Sequence, residues 1–180
     1  MFKRLRDQGG FTLVELLVVV IILAVLAAMV IPQLRSSSQD AKLSALDTDL
    51  SAMRNSVELF YHQHNSIYPG VVKQHEGVAH TSTYDAFVKQ LTFCSDANGN
   101  TDTTCDNTFK YGPYLKKGVP KNPLPNAAAT TDAQASTVTI DAVTATLGNE
   151  GKANDGTAAG WYFVSATGEF FANNTIYDDK

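Results

Sequence analysis

Residues 11–34, FTLVELLVVVIILAVLAAMVIPQL, limit what this chain can fold into more than any other stretch. Glu15 is their one charge. As a helix they would extend about 36 Å, enough to span a hydrocarbon layer of about 30 Å. In lipid, a single segment satisfies its backbone polar groups only as a helix. The short basic segment before it, MFKRLRDQGG, stays on the cytoplasmic side and leaves the rest of the chain outside. A secretory signal is the competing reading, because it too joins a basic start to an apolar core. The run is long for such a core, and the small pair Gly9-Gly10 precedes it instead of following it.

Helical spacing continues beyond the apolar run. Leu43, Leu46, Leu50, Met53, Val57 and Phe60 recur in alternating steps of three and four, one sustained stripe. Asp47, Asp49, Arg54 and Glu58 lie off it. The spacing predicts one helix from Phe11 to about His64, with the stripe packed on the chain's own core. A free-standing coiled coil would need more heptads. Pro32 lacks an amide hydrogen and crowds the preceding turn, so a kink is expected there.

After NSIYPG (65–70) the composition changes. Residues 84–93 fit a short amphipathic helix. Residues 109–125, FKYGPYLKKGVPKNPLP, hold four prolines and must be an extended connection. Residues 136–147 are β-branched and alternate, which favours a strand. Residues 148–160 read as a loop. Residues 161–171, WYFVSATGEFF, read as a hairpin turning at Thr167-Gly168. Such a sheet is most simply antiparallel, with one face on the long helix.

Hydrophobic residues make up 44% of the chain, but they crowd into its first 34 positions. The formal charge is −4, and removing the basic start leaves the remainder more acidic still. That balance argues against a nucleic-acid binder, whose footprint is usually basic. Cys94 and Cys105 flank a polar, turn-rich segment. In an exported chain they read as one disulfide; two free thiols are the alternative.

Other constellations are weaker. His62 and His64, and His75, Glu76 and His80, invite a metal reading. On a helix His75 and His80 would stand about 140° apart, so they do not form a zincin pair. Asp96, Asn98, Asn100 and Asp102 resemble the opening of a calcium loop, but Thr101 stands where that loop needs glycine. Lys110, Lys116, Lys117 and Lys121 mix with Phe109, Tyr111 and Tyr114 in a small basic-aromatic stretch that could stack on bases. Asn173 opens a glycosylation sequon. Nothing resembles a nucleophile–base pair or a phosphate loop, so no enzyme is expected.

The stretch GGFTLVELLVVVIILAVLAAMVIP resembles the N-terminal signature of type IV pilins and type II secretion pseudopilins. The resemblance covers roughly residues 3–34, with looser likeness in GPYLKKGVPKNPLP and WYF…TGEF. It implies an α+β, pilin-like fold: a long N-terminal helix packed on a small antiparallel β-sheet head. The implied plan is a leader (1–10), a transmembrane and filament-core helix (11–34), its amphipathic continuation (35–64) and a β-rich head (65–180). It further implies cleavage between Gly10 and Phe11 by a prepilin peptidase, and N-methylation of Phe11. Partners would be copies of the chain and other pilin-like subunits, the peptidase, an inner-membrane assembly platform, and lipid before assembly. The location would be the bacterial inner membrane, then a periplasmic or cell-surface filament. Major pseudopilins often bind calcium in a C-terminal loop, whose counterpart here holds Asn149, Glu150, Asn154 and Asp155. No other cofactor is implied.

Glu15 then has a specific role to fill. A carboxylate in a bilayer costs a few kcal/mol, less near the interface, and a helix N-terminus returns about 0.3–1 kcal/mol. Capping its own helix is one account. Pairing in trans is the sharper one: cleavage creates an ammonium at Phe11, and Glu15 of a neighbouring subunit would be its anion. Wrong registers would strand both charges. The proline-rich segment looks more like a major pseudopilin, which points to a secretion pseudopilus. A pilin for adhesion, motility or DNA uptake stays open, as does a secreted or membrane-anchored binding module.

Overall fold

The computed structural model describes residues 11–71, 73–80, 82–141 and 158–174, apart from the side chains at 32, 34 and 35. Helix α1 spans Leu13–Gln63 and continues through Pro32 without a break. The chain divides into two compact units, Met1–Ala41 and Lys42–Lys180.

In the first unit, α1 starts where Thr12 and Glu15 cap it and proceeds through Leu, Val, Ile and Ala. Its large apolar side chains from Leu13 to Ile31 are all exposed. No described residue of the chain covers this surface. The segment is long and apolar enough to cross a membrane.

In the second unit the expected stripe is the core. Leu46, Leu50, Met53, Val57 and Phe60 are each at most 2% exposed, and Leu43 is half-buried at the margin. Two elements cover them: α2 (Thr83–Thr92), through Phe87 and Leu91, and a three-stranded sheet. Burying one such side chain is worth about 1.5–3 kcal/mol. Off the stripe, Asp47 and Glu58 are exposed. Arg54 is half-buried, and its Nε donates to the Phe170 carbonyl at 2.9 Å, tying the helix flank to the sheet.

Short elements fill in the head. Strands β1 (Gln74–His75) and β2 (Val78–Ala79) precede α2; β3 (Cys94–Ser95) and β4 (Thr101–Asp102) follow it. They form a small sheet in the order β2-β1-β4-β3, with β1 parallel to β4. Cys94 and Cys105 are bonded, their Cα atoms 5.3 Å apart, so the disulfide reading holds. The proline-rich connection is anchored at its end: Pro120 accepts from Trp161 Nε1 at 2.8 Å, and Asn122 Nδ2 donates to Gly160 at 2.6 Å.

The second sheet follows the turn α3 (Asp132–Ala135), in the order β5 (Val138–Asp141), β6 (Trp161–Val164), β7 (Phe170–Ala172). The hairpin forms as expected, β6 against β7, with residues 165–169 between them. Two expectations change. The predicted 136–147 strand begins only at Val138, because the capping box of Thr131 and Gln134 draws the preceding residues into α3. Residues 142–147 lie outside the described residues. The sheet is also mixed, not antiparallel: β5 runs parallel to β6. Antiparallel neighbours follow most simply from a tight turn, whereas the 142–160 connection is long enough for a parallel return. In β6 both faces are buried. Trp161 and Phe163 join the core on α1, while Tyr162 and Val164 meet Phe171 in a second cluster, as a period of two requires.

Gly168 sits at φ +80, and a Cβ there would overlap the Tyr68 ring. Gly168→Ala should therefore lower stability by about 2–3 kcal/mol, read from urea denaturation, through both backbone strain and overlap. Replacing Cys94 and Cys105 with Ala should cost about 3 kcal/mol, the loop-closure value for a cross-link of this span. A loss below about 1 kcal/mol would show that the loop is held by its hydrogen bonds alone.

Candidate processing and assembly site

The first turn of α1 holds a complete reciprocal cap. Thr12 donates to Glu15 Oε2 from its amide at 2.8 Å and from its hydroxyl at 2.8 Å. In return the Glu15 amide donates to Thr12 Oγ1 at 3.3 Å. This is a capping box, in which two otherwise orphaned amides satisfy each other's side chains. Sequence reasoning raised self-capping for Glu15 but missed Thr12, although the T-x-x-E spacing before an apolar run is the signal. All described bonds to the carboxylate fall on Oε2. Phe11 is 89% exposed, and Phe11, Glu15, Leu16 and Val19 line a recess of about 250 Å3. The first turn thus presents an exposed aromatic ring, an oriented carboxylate and an apolar surface. Gly10 lies outside the described residues.

The remaining candidates resolve differently. His64 is buried beneath Phe60, ring centroids 3.7 Å apart. Its Nδ1 donates to the Phe60 carbonyl at 2.7 Å, so Nε2 accepts from Ser95 Oγ at 2.9 Å. Burial pushes the His64 pKa down and outweighs the nearby Phe60 carbonyl and Asp96 charge. Ser95 is fully buried, and no carboxylate orients the ring, so this serine–histidine pair braces the core instead of forming a nucleophile. Tyr114 joins the same cluster; its hydroxyl donates to Gln63 at 2.6 Å, and burial pushes its pKa up to about 12.

The calcium-like loop is satisfied from within. Asp96 Oδ1 accepts from the amides of Asn98 and Asn100, and Oδ2 from the Asn100 side chain. Asn149, Glu150, Asn154 and Asp155 lie outside the described residues. Among the described residues, no group of three or more His, Cys, Asp or Glu is placed to hold a metal. His75 and His80 are not on a helix: a hairpin brings their rings to 6.3 Å. In the basic-aromatic stretch, Tyr114 is spent on the core, Lys110 lies over Tyr111, and Lys121 pairs with Asp132. Asn173 is fully buried and donates to the Ala159 carbonyl at 2.9 Å, so the folded sequon is closed to a glycan.

Residues 5–31 match the prokaryotic N-terminal methylation motif. The chain is 42% identical to type II secretion system core protein G of Vibrio cholerae over 67 residues, 37% of this chain and 45% of that relative. It is also 42% identical to the Pseudomonas aeruginosa protein of the same name over 64 residues, 36% of this chain and 44% of that one. The Escherichia coli protein of that name is 29% identical over 116 residues, 59% of this chain and 77% of that one. The chain thus spans a little under half the length of the Vibrio and Pseudomonas relatives. No solved structure matches the chain significantly. The chain thus carries a prokaryotic N-terminal methylation motif over residues 5–31 and is similar, over part of its length, to core protein G of type II secretion systems.

Proposed function

We propose that this chain is a structural subunit of a type IV pilus-like filament, a pseudopilin of a type II secretion system, with no catalytic activity of its own. The observation that carries the reading is the uncovered apolar surface of α1 from Leu13 to Ile31, headed by an oriented carboxylate. So large an apolar face needs a partner. Lipid can supply it before assembly, and the same helices of neighbouring subunits can supply it afterwards. The similarity to proteins named type II secretion system core protein G favours the secretion filament.

In this reading a prepilin peptidase cuts between Gly10 and Phe11 and methylates the new amine. The head stays outside the cytoplasm. The ammonium of Phe11 then meets Glu15 of the next subunit. Thr12 holds one carboxylate oxygen, Oε2, so the approach falls to Oε1. Thr12 is a positioning residue in this scheme. Pro32 leaves one carbonyl without an amide partner, a weak point where the helix can adjust to its neighbours.

Mass spectrometry of the mature protein should find an N-terminus at Phe11 carrying one added methyl group. A start after residue 27 would point to a soluble secreted protein. Glu15→Val should leave insertion and cleavage intact and abolish filament yield; wild-type yield would overturn the pairing. Thr12→Val should reduce yield less severely than Glu15→Val, because the charge stays while its orientation is lost.

A further inference from the structure

His80 has an incomplete set of partners. It follows β2, and its amide donates to the Lys73 carbonyl at 2.9 Å, closing the β1–β2 hairpin. Its side chain is fully buried between that hairpin and α2. Nδ1 lies 3.4 Å from Asp85 Oδ2, but Nε2 is buried without a hydrogen-bond partner. With Nδ1–H directed at the carboxylate, Nε2 carries a bare lone pair. That is tolerable for a neutral ring. A proton on Nε2 would place a cationic donor where nothing accepts it, the most costly way to bury a polar group.

The groups facing His80 sharpen the point. On α2, Asp85 attracts the imidazolium, but it already pairs with Lys89 at 3.2 Å, and Lys89 repels it. On β1, the His75 ring lies 6.3 Å away, nearly parallel, and its own protonation adds repulsion. While the hairpin is docked, contacts of His75 with Phe93 at 4.8 Å and of its Nδ1 with Thr101 Oγ1 at 3.1 Å keep its ring beside His80.

We infer that the β1–β2 hairpin is a pH-sensitive latch, held on α2 by neutral His80 and released when that ring takes up a proton. Escape is easiest on the hairpin side. β1 and β2 are two residues each, β2 is an edge strand with Val78 70% exposed, and the hairpin meets the rest of its sheet along β1 alone, through the parallel pairing of His75 with Thr101 and the bonds of Gln74 and Glu76 to residues 100–103. The core of α1, α2 and the second sheet need not move. Burial holds the His80 pKa below its ordinary 6.5 despite Asp85. The latch is therefore fully closed above about pH 6.5 and opens as pH falls through the lower, folded-state value. The latch does not depend on the filament reading.

Hydrogen exchange on the full chain in detergent micelles, corrected for intrinsic rates, tests this. Opening of the 73–80 amides should be at least tenfold faster at pH 5 than at pH 7.5, while the 46–60 amides of α1 stay unchanged. His80→Gln, neutral at both values, should lose that dependence. The His80 ring should titrate below 6.5 by NMR in the unaltered protein, a readout that stands even if the variant does not fold. Equal protection at both pH values, a dependence retained in His80→Gln, or a ring titrating at 6.5 or above would each overturn the latch.

Discussion

One uncovered surface governs everything else. From Leu16 to Ile31, α1 is apolar all round, and its large side chains are exposed. In water so large an apolar surface is costly, and lipid or like helices, as in the proposed function, would relieve it. The helix is then obligatory, because no other backbone arrangement closes its own hydrogen bonds in that setting. From Leu46 onward the same helix has only one apolar stripe, and the head is built to cover that stripe alone. A single element thus carries two side-chain patterns, apolar all round in its first half and one-striped in its second.

Polar groups inside the head are handled with the same economy. Gln90 accepts from the Gly70 amide and donates to the carbonyls of Val71 and Gly99, pinning two loops to α2. His64 does the same between α1 and β3. The polar atoms of these two side chains are answered by backbone or hydroxyl, which fixes the loops without long strands. His80 stands out because one of its two nitrogens is left over.

The long helix, its buried stripe, α2 and the β6–β7 hairpin were legible because each rests on a local period that burial enforces. The cysteine bridge was legible from number and spacing. What was not legible depended on long-range placement. The direction of β5 is set by which neighbour it finds, and alternation reads the same in either sense. His75 and His80 looked 140° apart only under the assumption of a helix; the Glu76-Gly77 turn, with both residues at positive φ, folds them together. The sequon at Asn173 carries no sign that its amide would be consumed at Ala159. At the candidate site Glu15 was conspicuous as a lone charge, while Thr12 was passed over although its T-x-x-E spacing marks a capping box, because a lone hydroxyl draws no attention beside a charge in an apolar run.

The Thr12–Glu15 box has one more consequence. The amide that Thr12 donates belongs to the peptide bond formed with the Phe11 carbonyl, one bond further along the chain than the Gly10–Phe11 linkage. None of the three hydrogen bonds uses an atom of residue 10 or earlier. Severing the chain there would leave the first turn wound as before. Under the proposed cleavage the helix would already be started when the cut is made, and only the charge at its tip would be new.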